Sequence, residues 1–571
     1  MSENTPSGST NLTPLGKLLT FGFIVALLAV GAYMVYTKYA PDSVKAKLAV
    51  DKPPVELADT KGITTVQSYS YVPADKLPAV KGTSNYKWDN EKKILRFSYN
   101  VWAGWLPVIA ANHGTEPNDE SVFFKKYGFR VQMVLMDDPV MARDAFAAGD
   151  VHTLWGTADM MVLFAPALSK DSRTSPRIVQ QIDWSSGGDG IVVRSTVKNV
   201  GDLKGKTIAL APNSPSEYYL TSLLLSAGIN PKDVTVKHTA TAFEAAAAFV
   251  ADKSIDGCVS WSPDIYNITK NVANTRILSS SADANKLIAD VYALRADFAR
   301  DHADVVNGLV AGIFEGMDMV KKDPAPACQW MADAFKMPKD DVMGMRNDFH
   351  STNFAENVQF FLNASNPTNF ERTWKNASYV YGELDRLDKI VPFDQVMDFG
   401  VIKSLEAKGM FADQRDESIA TFTPGTYKKG KAEAVITQTI RINFYPNSAN
   451  PYEPAHDEYD VAIAGKLYDP NVSATMDRVA RLSGQFARAV VLIQGHTDSS
   501  MKGRVPVQAV RDLSLARAEA IKQALIQKYK FPADKFTVEG KGWDEPADPN
   551  DPDNQPMNRR VEISVFPPEQ Q

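Results

Sequence analysis

The nineteen residues Leu18–Tyr36, LLTFGFIVALLAVGAYMVY, carry no charge and are flanked by Lys17 and Lys38. At about 1.5 Å per residue, such a helix nearly crosses a hydrocarbon layer of about 30 Å. The stretch predicts a single transmembrane anchor at 15–37 behind a short tail, 1–14, and commits everything after Lys38 to one side of one membrane. A cleaved secretory signal is the competing reading. Against it, the apolar run is long, no small-x-small site follows, and Tyr33, Tyr36 and Tyr39 suit an interfacial aromatic belt. Lys17 stands alone before the span, whereas Lys38, Lys45 and Lys47 follow it, so counting positive charges places the bulk of the chain in the cytoplasm. The span holds no Asp, Glu or His, so by itself it is no proton path.

A chain of 571 residues is too long for one core and implies about three or four domains. The formal charge of -6 supplies no basic surface, which argues against nucleic acid as a partner. Cys258 and Cys328 do not make a disulfide framework; they either pair or stay as buried thiols. The histidines form no H-x-x-x-H or Cys/His cluster, so neither a metal nor another cofactor is expected. Residues 38–90 scatter Pro41, Pro53, Pro54, Pro73 and Pro78 among lysines with no apolar period. They read as a linker whose reach is on the order of 40 Å.

From Glu91 the pattern alternates. ILRFSYNVW, RVQMVLM, VHTLWG, IVQQIDW, DGIVVRS, KTIALA, VTVKHT and IDGCVSW are strand-like; MARDAFAAGD, SEYYLTSLLLSAG and AFEAAAAFVADK between them are helix-like. Such alternation predicts parallel βαβ units over 91–410, turning mostly helical after about residue 290. Ligands of open α/β sheets sit beyond the C-terminal strand ends. Those ends read Trp102-Ala103-Gly104-Trp105, Trp155-Gly156-Thr157-Ala158-Asp159, Asp183-Trp184 running to Gly187-Gly188-Asp189-Gly190, Asn213-Ser214-Pro215-Ser216, and Trp261-Ser262-Pro263-Asp264. Taken singly, such a Trp is core and such an Asp caps a helix. Converging, Trp102, Trp105, Trp155, Thr157, Asp159, Asp183, Trp184, Gly188, Asp189, Ser214, Ser216, Trp261 and Asp264 predict an acidic site with aromatic walls, suited to an amine or quaternary nitrogen. Ser214 and Ser216, at a helix start, are expected to receive an acidic end of the same molecule.

The WAGW turn, the segment Ala147–His152, DLKGKTIALA, SPSEYYL and DGCVSWSPD resemble the periplasmic solute-binding proteins of the nitrate, sulfonate and thiamine-precursor type. The resemblance implies a two-lobed α/β fold, with lobes at 91 to about 185 and about 190 to 280, crossing strands between them and ligand enclosed by hinge motion. Gly187, Gly188 and Gly190 would fall near a crossover, where glycine permits unusual backbone angles. Nitrate and sulfonate sites need positive charge, and this one is acidic, so the ligand does not carry over. No His/Cys constellation supports catalysis, and an enzyme is not expected.

A polar stretch at 411–433, with Pro424 and Gly425, reads as a second linker. Over 434–571 a β-α-β-α-β-β order predicts a smaller α/β sandwich. Gly495-His496-Thr497-Asp498, then Leu513-Ser514-Leu515-Ala516-Arg517-Ala518 opening a helix, then Asn558-Arg559-Arg560-Val561-Glu562-Ile563 resemble, in order, the OmpA-like peptidoglycan-binding domain. The resemblance implies that Asp498 takes the ammonium of a diaminopimelate side chain and Arg517 its carboxylate, chemistry to which a planar guanidinium is suited. Val510 stands where that family has Asn, and the loops after Asp498 and at Tyr452–Pro470 are longer than its pattern. Peptidoglycan lies outside the inner membrane, so the resemblance reverses the lysine count and places the bulk of the chain in the periplasm.

The expectation is an inner-membrane receptor that holds a small organic solute and grips the wall, with membrane proteins as further partners. The alternative is a scaffold of the flagellar-stator kind that uses its α/β part for docking; the uncharged span argues against an autonomous stator.

Overall fold

The computed structural model describes residues 69–73, 77–418, 436–440, 442–445, 447–459 and 461–566. The Leu18–Tyr36 span, most of the first linker and most of the second lie outside them. Among the described residues no helix is long and apolar enough to cross a membrane.

The first lobe starts from β1 (Ile94–Tyr99) and β2 (Arg130–Leu135), paired in parallel. Beside them lies β3 (Thr153–Thr157): His152 Nδ1 and Thr153 Oγ1 accept the backbone N–H groups of Arg96 and Ser98, side chains standing in for a ladder. β4 (Pro176–Ser185) ends at Ser185, and the chain passes into β5 (Asp189–Arg194) of the second lobe. That lobe is one five-stranded sheet made with β6 (Thr207–Leu210), β7 (Thr235–His238), β8 (Gly257–Trp261) and β9 (Thr275–Ser280), in the order β7-β6-β8-β5-β9. The chain returns through β10 (Ala289–Arg295), and β11 (Phe349–Ser351) completes a first-lobe sheet ordered β11-β4-β10-β3.

The parallel expectation holds for β1 with β2 and for β6 with β7 and β8. It fails at the crossovers. β5 runs antiparallel to β8 and β9, and β10 antiparallel to β3 and β4. A strand that enters a sheet from the other lobe arrives without a crossover helix, so nothing forces it parallel.

Three helices pack against one another where the lobes meet: α1 (Ala158–Leu168), α2 (Pro215–Ser226) and α3 (Phe370–Glu383). α2 starts where Ser214 Oγ accepts the Ser216 N–H and Pro215 fills the first helical position. α3 starts on the Asn369 side chain and belongs to the helical segment that follows β10.

The C-terminal sheet is ordered β12-β17-β15-β16, from β12 (Ile436–Ile440), β15 (Val490–His496), β16 (Phe536–Gly542) and β17 (Val561–Phe566). Helices α4 (Val472–Gln485) and α5 (Val507–Tyr529) complete it. The expected long loop at Tyr452–Pro470 contains a hairpin of β13 (Pro454–His456) and β14 (Ala462–Leu467). α5 opens six residues before Leu513, because Pro506, extended at φ -59° and ψ 142°, supplies its N-cap. Cys258 and Cys328 are both buried and unpaired.

Candidate functional site

Registry gathers the acids. Asp290, near the start of β10, pairs with Thr157 of β3 on one side and with Asp183 of β4 on the other. Two residues past β3, Asp159 enters the first turn of α1. Across the crossover Asp189 opens β5, where it pairs with Trp261 of β8. All six of these side chains are buried.

Each acid has a short list of protein partners. Trp102 Nε1 donates to Asp183 Oδ2 at 3.2 Å, Tyr381 Oη to Asp159 Oδ2 at 3.0 Å, and Ser185 Oγ to Asp189 Oδ2 at 2.6 Å. Asp183 also faces the Asp290 carboxyl and Asp159 the Thr157 hydroxyl, whereas Asp189 Oδ1, Ser216 Oγ and Trp261 Nε1 are buried with no partner. Among the described residues, Asp159, Asp183, Asp189 and Asp290 form no ion pair. Burial pushes Asp159 up to about 6 and Asp183 and Asp189 up to about 7, and it raises Asp290 well above the usual carboxylate range with the neighbouring acids adding to the effect. An unpaired buried charge costs several kcal/mol, so these acids stand protonated or await a cation.

Two glycines let the walls close. A Cβ on Gly104 would lie 1.9 Å from Asp183 Oδ2 and 2.4 Å from Trp102 Nε1, and one on Gly188 would lie 2.2 Å from the Trp102 ring. The expectation of unusual backbone angles applies to Gly187 alone, at φ +127°; Gly188 and Gly190 make room for packing instead. Ser281 ties the two crossovers: its hydroxyl lies 2.8 Å from Ser185 Oγ and accepts from Gly187 N and Asp189 N.

The structure distributes the other sequence candidates. Trp155 is buried in the middle of β3 rather than at its end, with Nε1 donating to the Met136 carbonyl. Trp105 lies in the first-lobe core against Phe97, its Nε1 on Asn100. Trp184 follows Asp183 on the strand and so points to the opposite face. There it packs on Phe360 and lines a cavity of about 470 Å³ with Lys286, Phe531 and Lys535. Asp264, fully buried, opens the helix Asp264–Asn271 near Cys258, whose thiol its charge helps to raise. Ser214 caps α2, but Glu217 Oε2 already accepts the Asn213 N–H at that helix start, and Arg386 lies 3.6 Å from Glu217.

Sequence reading missed Asp290, Glu217 and Tyr381. An Asp inside the apolar run IADVYALR was the available signal for the first. Tyr381 offered none: it sits on a helix, and only folding brings its hydroxyl to Asp159.

In the C-terminal domain, Asp498 follows β15 and is buried. Its Oδ2 accepts from Arg559 Nη1 at 3.0 Å and its Oδ1 from the Ser500 N–H at 3.0 Å. Arg517 lies on α5 with its guanidinium 4.8 Å from the Phe444 ring and its Nε donating to the Ser448 carbonyl. Gly495 and Gly540, paired between β15 and β16, let α5 approach the sheet: a Cβ there would lie 2.1 Å from the Ser514 carbonyl oxygen and 2.4 Å from that of Arg511.

Comparison with known proteins finds two family matches, NMT1/THI5 like over residues 119–327 and OmpA family over residues 465–560. Outer membrane protein Omp38 of Acinetobacter baumannii is 35% identical over 131 residues, 23% of this chain and 31% of that protein. The chain thus spans about a third of the length of that relative. The taurine-binding periplasmic protein of Escherichia coli is 25% identical over 236 residues, 40% of this chain and 70% of that protein. Among solved structures, the periplasmic aliphatic sulphonate binding protein SsuA from Escherichia coli is 18% identical with a TM-score of 0.43, over 55% of this chain and 99% of that one. The chain joins an NMT1/THI5-like solute-binding region to a C-terminal OmpA domain.

Proposed function

We propose that the chain is a receptor for a small organic cation, held in the inner membrane by Leu18–Tyr36, with the cleft in the periplasm and the C-terminal domain on peptidoglycan. One observation carries the ligand class: Asp159, Asp183, Asp189 and Asp290 are buried together, Asp189 keeps an oxygen without a partner, and among the described residues no lysine or arginine pairs with any of the four. An ammonium group supplies both the missing donors and the missing charge, and Trp102, Trp155 and Trp261 supply faces for its methyl or methylene groups. The related protein named for taurine, an amino-sulfonate, supports a nitrogen-bearing solute. The acidic end expected at α2 fits less well, because the Glu217 carboxylate already occupies that helix start. A ligand with an amine or quaternary nitrogen and no acid is favoured.

The same reading assigns Asp498 and Arg517 to the two charges of diaminopimelate. Asp498 shares its carboxylate with Arg559, and Arg517 is anchored through Nε, which leaves its terminal nitrogens to face a carboxylate. Calorimetry of the full chain against methylamine, diaminobutane, choline, glycine betaine and taurine is expected to find binding to at least one of the first three. Asp183→Asn and Asp189→Asn should each weaken it by tenfold or more. Silence across the panel favours the docking scaffold.

A further inference from the structure

The C-terminal domain does not merely follow the two lobes; it is fastened across them. On α4, Arg481, Leu482 and Gln485 share one crevice with Ser222 and Leu225 of α2, on the second lobe, and with Asn376 of α3, on the helical segment that returns to the first. Asn376 Nδ2 in turn donates to Tyr218 Oη of α2 at 2.7 Å. At the end of α4, Gly484 packs against Pro367 and Thr368, where a Cβ would lie 3.0 Å from the Thr368 methyl carbon.

Beyond Gly484 the domain reaches the hinge itself. The Gln485 carbonyl accepts the Lys286 N–H at 3.0 Å, and the Ala487 N–H donates to Asn285 Oδ1 at 2.9 Å. Asn285 is fully buried and lies with Ser281 on the returning crossover, four residues from the hydroxyl that ties the crossovers together. The docking strand of residues is itself held rigid: Lys535 Nζ donates to the carbonyls of Phe486, Ala487 and Ala489 at 2.7, 3.1 and 2.8 Å.

We propose that α4 and residues 485–487 form a strap that holds the two lobes closed, so that opening of the solute cleft requires the C-terminal domain to lift from the hinge. The proposal rests on the reading of the cleft as one that opens. Separation of α2 from α3 cannot leave α4 in contact with both, and movement of the returning crossover breaks the two hydrogen bonds at Asn285 and Lys286. Attachment of the C-terminal domain to another body and access to the cleft then become competing demands on one surface.

The test measures lobe separation directly in the full chain. Spin labels at Lys125→Cys and Lys204→Cys, exposed positions on the first and second lobes, report the distance, while Cys258 and Cys328 are buried. The parent should give one narrow distance. Asn285→Ala removes a hinge acceptor without adding bulk, and Gly484→Trp wedges α4 off Pro367; each should raise a longer-distance population about tenfold. If Gly484→Trp unfolds the C-terminal domain, the strap is lost all the same and the longer population must still appear. Parental distances in both variants overturn the strap. No ligand enters this measurement, so that outcome leaves the cation site standing, and silence of the ammonium panel leaves the strap standing.

Discussion

The buried carboxyls Asp159, Asp183 and Asp189 give the molecule a pH dependence whose sign follows from burial. Asp159 moves to about 6 and Asp183 and Asp189 to about 7 from 3.8, so the folded chain keeps protons that the unfolded chain has released. Their stabilising contribution is complete below the ordinary aspartate value and disappears as pH climbs through 6 to 7. The empty protein should melt at a lower temperature at pH 8 than at pH 5, and Asp189→Asn should flatten part of that slope in a thermal-shift series. A cation must displace the same protons, so its affinity should rise over this interval; constant affinity from pH 5.5 to 8 would contradict the assignment. Part of this site was legible beforehand. Trp102, Asp159, Asp183 and Asp189 stand at or just past strand ends, where a one-dimensional reading knows to look. Asp290 was not, because its place opposite Asp183 and Thr157 depends on β10 inserting between β4 and β3. Trp105 shows the converse: same turn, same residue type, but a ring turned into the core.

At the scale of elements, periodicity located β1 to β8 and the helices Pro139–Ala147, Pro215–Ser226 and Ala242–Ala251, each with an apolar face and a turn at its end, but not the helices Leu106–Asn112, Ala158–Leu168 and Asp264–Asn271 or strand β9. Pairing direction was not readable, because it depends on which lobe a strand enters from. The C-terminal motif was legible for a different reason: its glycine is a packing requirement. Gly495 lies where α5 crosses β15, and a methyl group there would meet the Ser514 carbonyl at 2.1 Å. Gly495→Ala should therefore force α5 outward and cost about 1–3 kcal/mol in denaturant unfolding of this domain. It should also separate Arg517 from Asp498, since one rides on the helix and the other follows the strand. Unchanged unfolding in the alanine variant would mean that the helix shifts without resistance.

For the whole molecule, the two candidate sites lie on bodies that share an interface, and each can be disabled without touching the other. Purified sacculi should retain the full chain, with retention falling at least tenfold in the Asp498→Ala, Arg517→Ala double variant. Asp189→Asn should leave retention unchanged. Undiminished capture of the double variant would remove Asp498 and Arg517 from the reading, although not the cleft. Trp102 adds a consequence of its own. Its indole is bonded to Asp183 of its own lobe and pressed on Gly188, which lies on the crossover between β4 and β5. Movement of Gly188 as the lobes part admits water to one side of that ring, so the difference in emission between the parent and Trp102→Phe, taken over eight other tryptophans, becomes a gauge of gape that needs no dye.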